Sequence, residues 1–180
     1  MNLPNRLSFL RVFLVPVMVL LLSLEGDFVW YAGAAVFLVA SVTDFLDGHI
    51  ARKRHLETDL GRFLDPLADK MLVLSAMIML QQAGLCPAWM VVLVLSRDLA
   101  VDGLRLACVR AGKVLAAGKL GKIKTASQMV YILIMLFARM GALDNIFMIL
   151  LTAWIALITV YSCVDYFMKH GSVLLEKGGA

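Results

Sequence analysis

Histidine and cysteine are scarce, three of each in 180 residues, and neither is arranged for metal or disulfide work. Cys86, Cys108 and Cys163 are odd in number, far apart and set in apolar surroundings. This excludes a disulfide framework and a zinc-type spacing, and predicts small core residues. His49, His55 and His170 do not fall on the faces that carry the aspartates of the chain. An internal repeat, a soluble linker and a soluble basic module are also missing. Without such a module a nucleic-acid role is excluded.

Apolar residues are what the chain has in abundance. They make up 62% of it, against about 45–50% in soluble proteins, and the mean hydropathy is +0.88. Apolar runs recur along the whole length, which predicts an all-α polytopic membrane protein with six transmembrane helices in a single domain over residues 1–180. The first run is long and is followed by others of its kind, so it is expected to stay as a span and not to be cleaved as a signal peptide. A short amino-terminal interfacial segment is expected first, with Pro4 and Asn5 breaking any helix. Spans are then expected near 7–24, 29–54, 58–82, 87–112, 120–140 and 145–169. Pro16 predicts a kink in the first, Thr58 or Asp59 a cap on the third, and methionines such as those of Met71–Met79 packing or lipid contact.

Basic residues are unevenly distributed. The connections Leu24–Phe28, Gln81–Pro87 and Arg139–Asn145 hold one arginine between them, Arg139. The other connections carry Arg52, Lys53, Arg54, Arg62, Arg110, Lys113, Lys119, Lys122 and Lys124, with Arg6 and Lys169 near the ends. The positive-inside rule then puts both termini and the aspartate-bearing stretch Ser41–Lys70 on the cytoplasmic side, and a multi-pass protein of the cell (inner) membrane is expected.

Between two apolar segments, Ser41–Lys70 gathers Asp44, Asp47, Asp65 and Asp69. An aspartate costs about 2.5–3.5 kcal/mol at the centre of a membrane helix, so four near one boundary need a compensating partner. Asp44 and Asp47 are three apart, Asp65 and Asp69 four apart, and on helices both spacings share a face. Gly48, Ala51, Gly61 and Ala68 keep those faces free of bulk. Three readings fit. The carboxylates hold one or two hard cations such as Mg²⁺ or Mn²⁺, or they pair with Arg52, Arg62 and Lys70 in a salt-bridged rim, or they line an ion pathway.

Read in order, the stretch is Asp44-x2-Asp47-Gly48-x2-Ala51-Arg52-x8-Gly61-x3-Asp65-x3-Asp69. It resembles the complete signature of the CDP-alcohol phosphotransferase family, with every fixed position occupied. Further likeness lies in NLPNRLSFLR at the start, FLDPLADK (Phe63–Lys70), Arg97–Asp98 followed by Arg105, and GKIKT (Gly121–Thr125). These resemble the bacterial branch that makes phosphatidylglycerophosphate. That branch commonly has Arg-Glu where this chain has Arg97–Asp98, which keeps the charge and shortens its reach.

The resemblance implies transfer of a phosphatidyl group from CDP-diacylglycerol to an alcohol, here glycerol 3-phosphate, with release of CMP. By the same resemblance, Asp44, Asp47 and Asp65 are the main ligands of a two-metal Mg²⁺ or Mn²⁺ site. Asp69 lies near a metal and serves as general base. Asp47, Gly48, Ala51, Arg52 and Gly61 lie along the donor, and Asn5 and Arg11 close its pocket. A homodimer is implied too. An acceptor bearing its own phosphate asks for fixed cations, and Arg105, Lys119, Lys122 and Lys124 are the candidates. Inositol phosphate or phosphatidylglycerol as acceptor would use the same chemistry. A cation channel or transporter predicts acids spread through the bilayer depth, whereas these cluster at one end; a non-catalytic scaffold gives no reason for small residues beside them.

Overall fold

The computed structural model describes the backbone of residues 3–54, 59–110, 112, 118–139 and 144–171; the side chains of 3–8, 44–54, 59–63 and 119 lie outside the description. Among the described residues there are six helices and no strand: α1 (Leu3–Ser23), α2 (Asp27–Arg54), α3 (Asp59–Gln82), α4 (Ala88–Arg110), α5 (Lys119–Ala138) and α6 (Asn145–His170). The stretches Leu120–Ala138 and Asn145–His170 are long and apolar enough to cross a membrane, while Phe9–Ser23 and Asp27–Thr43 are shorter apolar segments.

Helix ends match the expected spans to within a few residues except at the amino terminus. Pro4 and Asn5 do not break the helix: α1 is already helical at Leu3. The reason is positional. The first amides of a helix have no intrahelical acceptor, so a proline in the first turn forfeits nothing. Pro16 lies within α1, which continues past it to Ser23. Of the expected caps on α3, Asp59 is its first residue and Thr58 lies outside the described residues.

The chain divides into two compact units. The first comprises Met1–Cys86 and Ile132–Ala142. Here α1 packs against α2 and α3, and Met18, Trp30, Phe37, Leu72, Met77 and Leu80 are buried. The approach of α1 to α2 depends on Gly33, where a Cβ would lie 2.7 Å from the Leu22 side chain. Gly26, at φ 116°, turns the chain between the two helices in a conformation that suits glycine. The last turn of α5 also belongs to this unit. Its carbonyls have no intrahelical donor, and the Trp30 indole Nε1 donates to Leu136 O at 2.8 Å. That bond satisfies a buried indole and an unclaimed carbonyl together. Tyr31 stacks on Phe137, and the Arg139 guanidinium lies 4.3 Å from the Trp30 ring centroid.

The second unit comprises Pro87–Tyr131 and Leu143–Ala180. In it α4 packs against α6, with Val101, Leu104, Cys108 and Tyr166 in one buried cluster and Cys163 and Phe167 against its edge. The buried face of α6 is Thr152, Ile155, Thr159, Ser162 and Tyr166, spaced three and four apart as a helix stripe requires. Four of these five are polar. Cys86 and Cys108 are buried and Cys163 is half-buried, none of them in a disulfide, in keeping with their reading as core residues.

Gly33→Val should lower the melting temperature in detergent, since the added methyls enter space held by Leu22 and overpacking of this kind costs about 1–3 kcal/mol. An unchanged melting temperature would show that the two helices can move apart freely.

Candidate active site

Helix α3 carries Asp65 and Asp69 one turn apart in the first unit. Asp65 is exposed; Asp69 is half-buried, with its Oδ1 closed off from solvent. Ala68 beside them is fully buried, so the carboxylates sit at the border between packed core and open surface. Pro66 lies between them, well inside the helix. It has no N–H for the carbonyl four residues earlier, which puts a gap in the backbone ladder at the aspartate pair. Sequence reasoning passed over this proline, although its place in a helical pattern was visible.

Asp44 and Asp47 lie on the helical backbone of α2, which touches α3 within the same unit. Their side chains are outside the described residues, as are those of Asn5, Gly48, Ala51, Arg52 and Gly61. The last described side chains before them, Ser41 and Thr43, donate back to Phe37 O at 2.8 Å and Val39 O at 2.6 Å. Arg11 is 2% exposed on α1, the helix that packs against both aspartate-bearing helices. A guanidinium so buried requires compensation.

Among the described residues no three carboxylate, histidine or cysteine side chains form a metal cluster. Half of the expected set lies beyond that description. The donor chemistry fits a hard divalent cation: the four candidates are carboxylates, with no imidazole or thiolate among them.

The second unit holds the expected acceptor-phosphate residues. Lys124 is 2% exposed, and its ammonium donates to Asp98 Oδ1 at 2.9 Å. The same oxygen accepts from Arg97 Nη1 at 2.9 Å, and Arg97 Nη2 donates to Ser162 Oγ at 2.7 Å. One carboxylate therefore joins cations from α4 and α5, and Arg97 extends the chain of bonds to α6. Arg105, two turns after Arg97 on α4, is half-buried, and its Nε is closed to solvent without a hydrogen-bond partner. Lys122 is exposed, and Lys119 opens α5 with its side chain outside the described residues.

Sequence reasoning noted Arg97–Asp98 only as a likeness and gave α6 no part. The signal was present in the polar residues Thr152, Thr159 and Ser162, which recur at helical spacing in an otherwise apolar span. The Oγ of Thr159 and the hydroxyl of Tyr166 are likewise buried without hydrogen-bond partners.

The sequence profile described as CDP-alcohol phosphatidyltransferase matches residues 1–162. This chain belongs to that family. A CDP-diacylglycerol–glycerol-3-phosphate 3-phosphatidyltransferase of Bacillus subtilis is 40% identical, covering 96% of this chain and 97% of its own. A protein of the same name from Rickettsia typhi is 38% identical over 92% of this chain and 99% of its own. A probable phosphatidylglycerophosphate synthase of Mycobacterium tuberculosis is 41% identical over 99% of this chain and 84% of its own. Members of the CDP-alcohol phosphatidyltransferase family are generally divalent-metal dependent, which agrees with the all-carboxylate donor set.

The Asp98 network tests how much of the second unit is held by charge. Asp98→Asn should destabilise the folded protein by about 3–5 kcal/mol, because two cations lose a shared, largely buried counter-charge. Lys169→Ala, which removes an i,i+4 pair with Asp165 whose lysine is exposed, should cost about 0.5 kcal/mol or less. Thermal unfolding of both variants in one detergent checks the contrast.

Proposed function

We propose that this chain transfers the phosphatidyl group of CDP-diacylglycerol to sn-glycerol 3-phosphate, forming phosphatidylglycerophosphate and CMP. The observation that carries this is the near-full-length match to relatives named for that reaction, at 38–41% identity. The complete aspartate pattern on α2 and α3 supports it independently.

In this reading Asp44, Asp47 and Asp65 hold the divalent cations, Mg²⁺ or Mn²⁺, with Asp69 beside them. When bound, the cations neutralise the pyrophosphate and polarise its phosphorus–oxygen bonds. Gly48, Ala51 and Gly61 leave room for the cytidine diphosphate, while Asp47, Arg52, Asn5 and Arg11 contact the donor. Asp69 takes the proton of the glycerol-phosphate 1-hydroxyl as that oxygen attacks the β-phosphorus. The bond from this phosphorus to the oxygen shared with CMP breaks, and CMP departs with its electron pair. A carboxylate is a weak base for an alcohol, so proton transfer is concerted with attack. Arg105, Lys119, Lys122 and Lys124 receive the phosphate of the acceptor. The unsatisfied Nε of Arg105 favours that role, since a buried donor without a partner is completed by an incoming anion.

The enzyme is proposed to be a single domain of six spans and a homodimer in the cell membrane, with the aspartates on the cytoplasmic side. Acyl chains then remain in the bilayer while CMP leaves into water.

The deciding measurement is CMP release by purified protein in detergent with CDP-diacylglycerol and Mg²⁺, comparing glycerol 3-phosphate with inositol phosphate and phosphatidylglycerol. Release is expected with glycerol 3-phosphate, abolished by a chelator and restored by added Mg²⁺; release with another acceptor alone would keep the chemistry and overturn the substrate. Asp69→Asn should lower turnover about 100-fold or more, the scale of a lost general base, with donor binding retained. Full activity in that variant would remove Asp69 from the reaction. Arg105→Gln should raise the KM for glycerol 3-phosphate about tenfold or more, as expected for losing a charge-assisted hydrogen bond, with the donor KM little changed. Equal effects on both substrates would rule out an acceptor clamp.

A further inference from the structure

A cavity of about 210 Å³ lies in the first unit where α1, α3 and α5 end and α2 begins. Leu22, Glu25, Trp30, Met79, Gln82 and Arg139 are among its walls. Gln82 follows Asp69 by thirteen residues on α3, about 20 Å along the helix axis at 1.5 Å per residue. The cavity is therefore at the opposite end of this unit from the carboxylates.

Arg139 is the one basic residue in the three connections that otherwise have none. Its guanidinium lies over Trp30, and the indole is itself fixed by its bond to Leu136 O. Glu25, in the turn between α1 and α2, lines the same cavity, yet among the described residues it forms no ion pair with Arg139. The guanidinium lies on the indole face instead, so a positive and a negative group line one open cavity without pairing.

We propose that this cavity is a second lipid-headgroup site, selective for a zwitterionic phosphodiester that carries an ammonium group. The phosphate meets Arg139 and the ammonium meets Glu25, with the Gln82 amide available to either. The volume equals the share of about seven waters in the liquid, enough for a phosphate joined to a short amino alcohol. Leu24 lines the cavity and is 49% exposed, and Phe28, three residues after Glu25 in the chain, is 87% exposed; the acyl chains of a bound lipid would run along these side chains. This apolar rim favours a lipid over a free phosphoester. The site takes no part in the transfer reaction.

The test uses the full chain in detergent with three probes: phosphatidylethanolamine, phosphatidylglycerol and soluble glycerophosphoethanolamine. Retained lipid is read by native mass spectrometry and stabilisation by thermal melting. Phosphatidylethanolamine should be retained and should raise the melting temperature, phosphatidylglycerol much less so. Glu25→Gln and Arg139→Lys should leave CMP release unchanged. Glu25→Gln should weaken phosphatidylethanolamine retention about tenfold, the loss of one charge-assisted contact, and remove the preference over phosphatidylglycerol. Arg139→Lys keeps the charge and should retain most of the binding. Glu25 lies in an exposed turn, so its variant carries the test even if changes at Arg139 disturb Trp30. Equal retention of the two lipids by the unaltered protein, or undiminished preference in Glu25→Gln, overturns the proposal. Tighter binding of the soluble probe than of the lipid overturns the bilayer as the source.

Discussion

A charge inside an apolar helix bundle has to meet a counter-charge or a ligand, because its hydration is lost and the surrounding side chains return nothing for it. In the second unit this requirement ties three helices together. Lys124 on α5 and Arg97 on α4 converge on one oxygen of Asp98, and Arg97 continues to Ser162 on α6. Leucine and valine contacts between the same helices would tolerate a slide or a rotation of a few degrees. A shared carboxylate tolerates neither, since both cations must stay within hydrogen-bond reach of one atom. Apolar packing therefore supplies most of the cohesion and the buried charges supply the register.

Asp69 on α3, half-buried with one oxygen closed to solvent, meets the same constraint, while Asp65 one turn before it is exposed. Spacings of three and four put each aspartate pair on one helix face, where a single neutral partner could not offset them. In the proposed reading a divalent cation offsets two at once, and the small residues around them leave the helix backbone open to the pyrophosphate of the donor. Pro66 adds a gap in the backbone ladder at this point of α3. The chain thus sets aside some of its most regular interaction beside Asp65 and Asp69.

Much of the fold was legible because apolar length is a strong signal and the breaks are chemically plain. Gly84 at φ 75° ends α3 a few residues before Pro87, and Gly112, at the same φ, follows α4. Pro4 misled because a proline reads as a breaker unless its distance from the helix start is known, and sequence alone does not give that distance. The family likeness was legible through eight identities at fixed spacing, and the profile match over residues 1–162 upholds it. The part played by α6 was not. Ser162 looks like a tolerated polar residue in a span until Arg97 of α4 is placed opposite, and that placement is a tertiary fact.

The same limit applies to Arg97 and Asp98. Adjacent on one helix, they read as a local pair, and the sequence offers no reason to set Lys124, 26 residues later, on the same oxygen. Once it is there, its own behaviour changes character. A lysine on an exposed helix is a mobile cation that must be ordered when substrate arrives, and immobilising so long a side chain costs about 1.5–2 kcal/mol of rotamer freedom. Lys124 has already lost that freedom on folding. Arg105 presents a related economy, because its buried Nε has already been stripped of water and has gained no partner in return. In the proposed reading the phosphate of the acceptor meets donors that are desolvated and oriented beforehand.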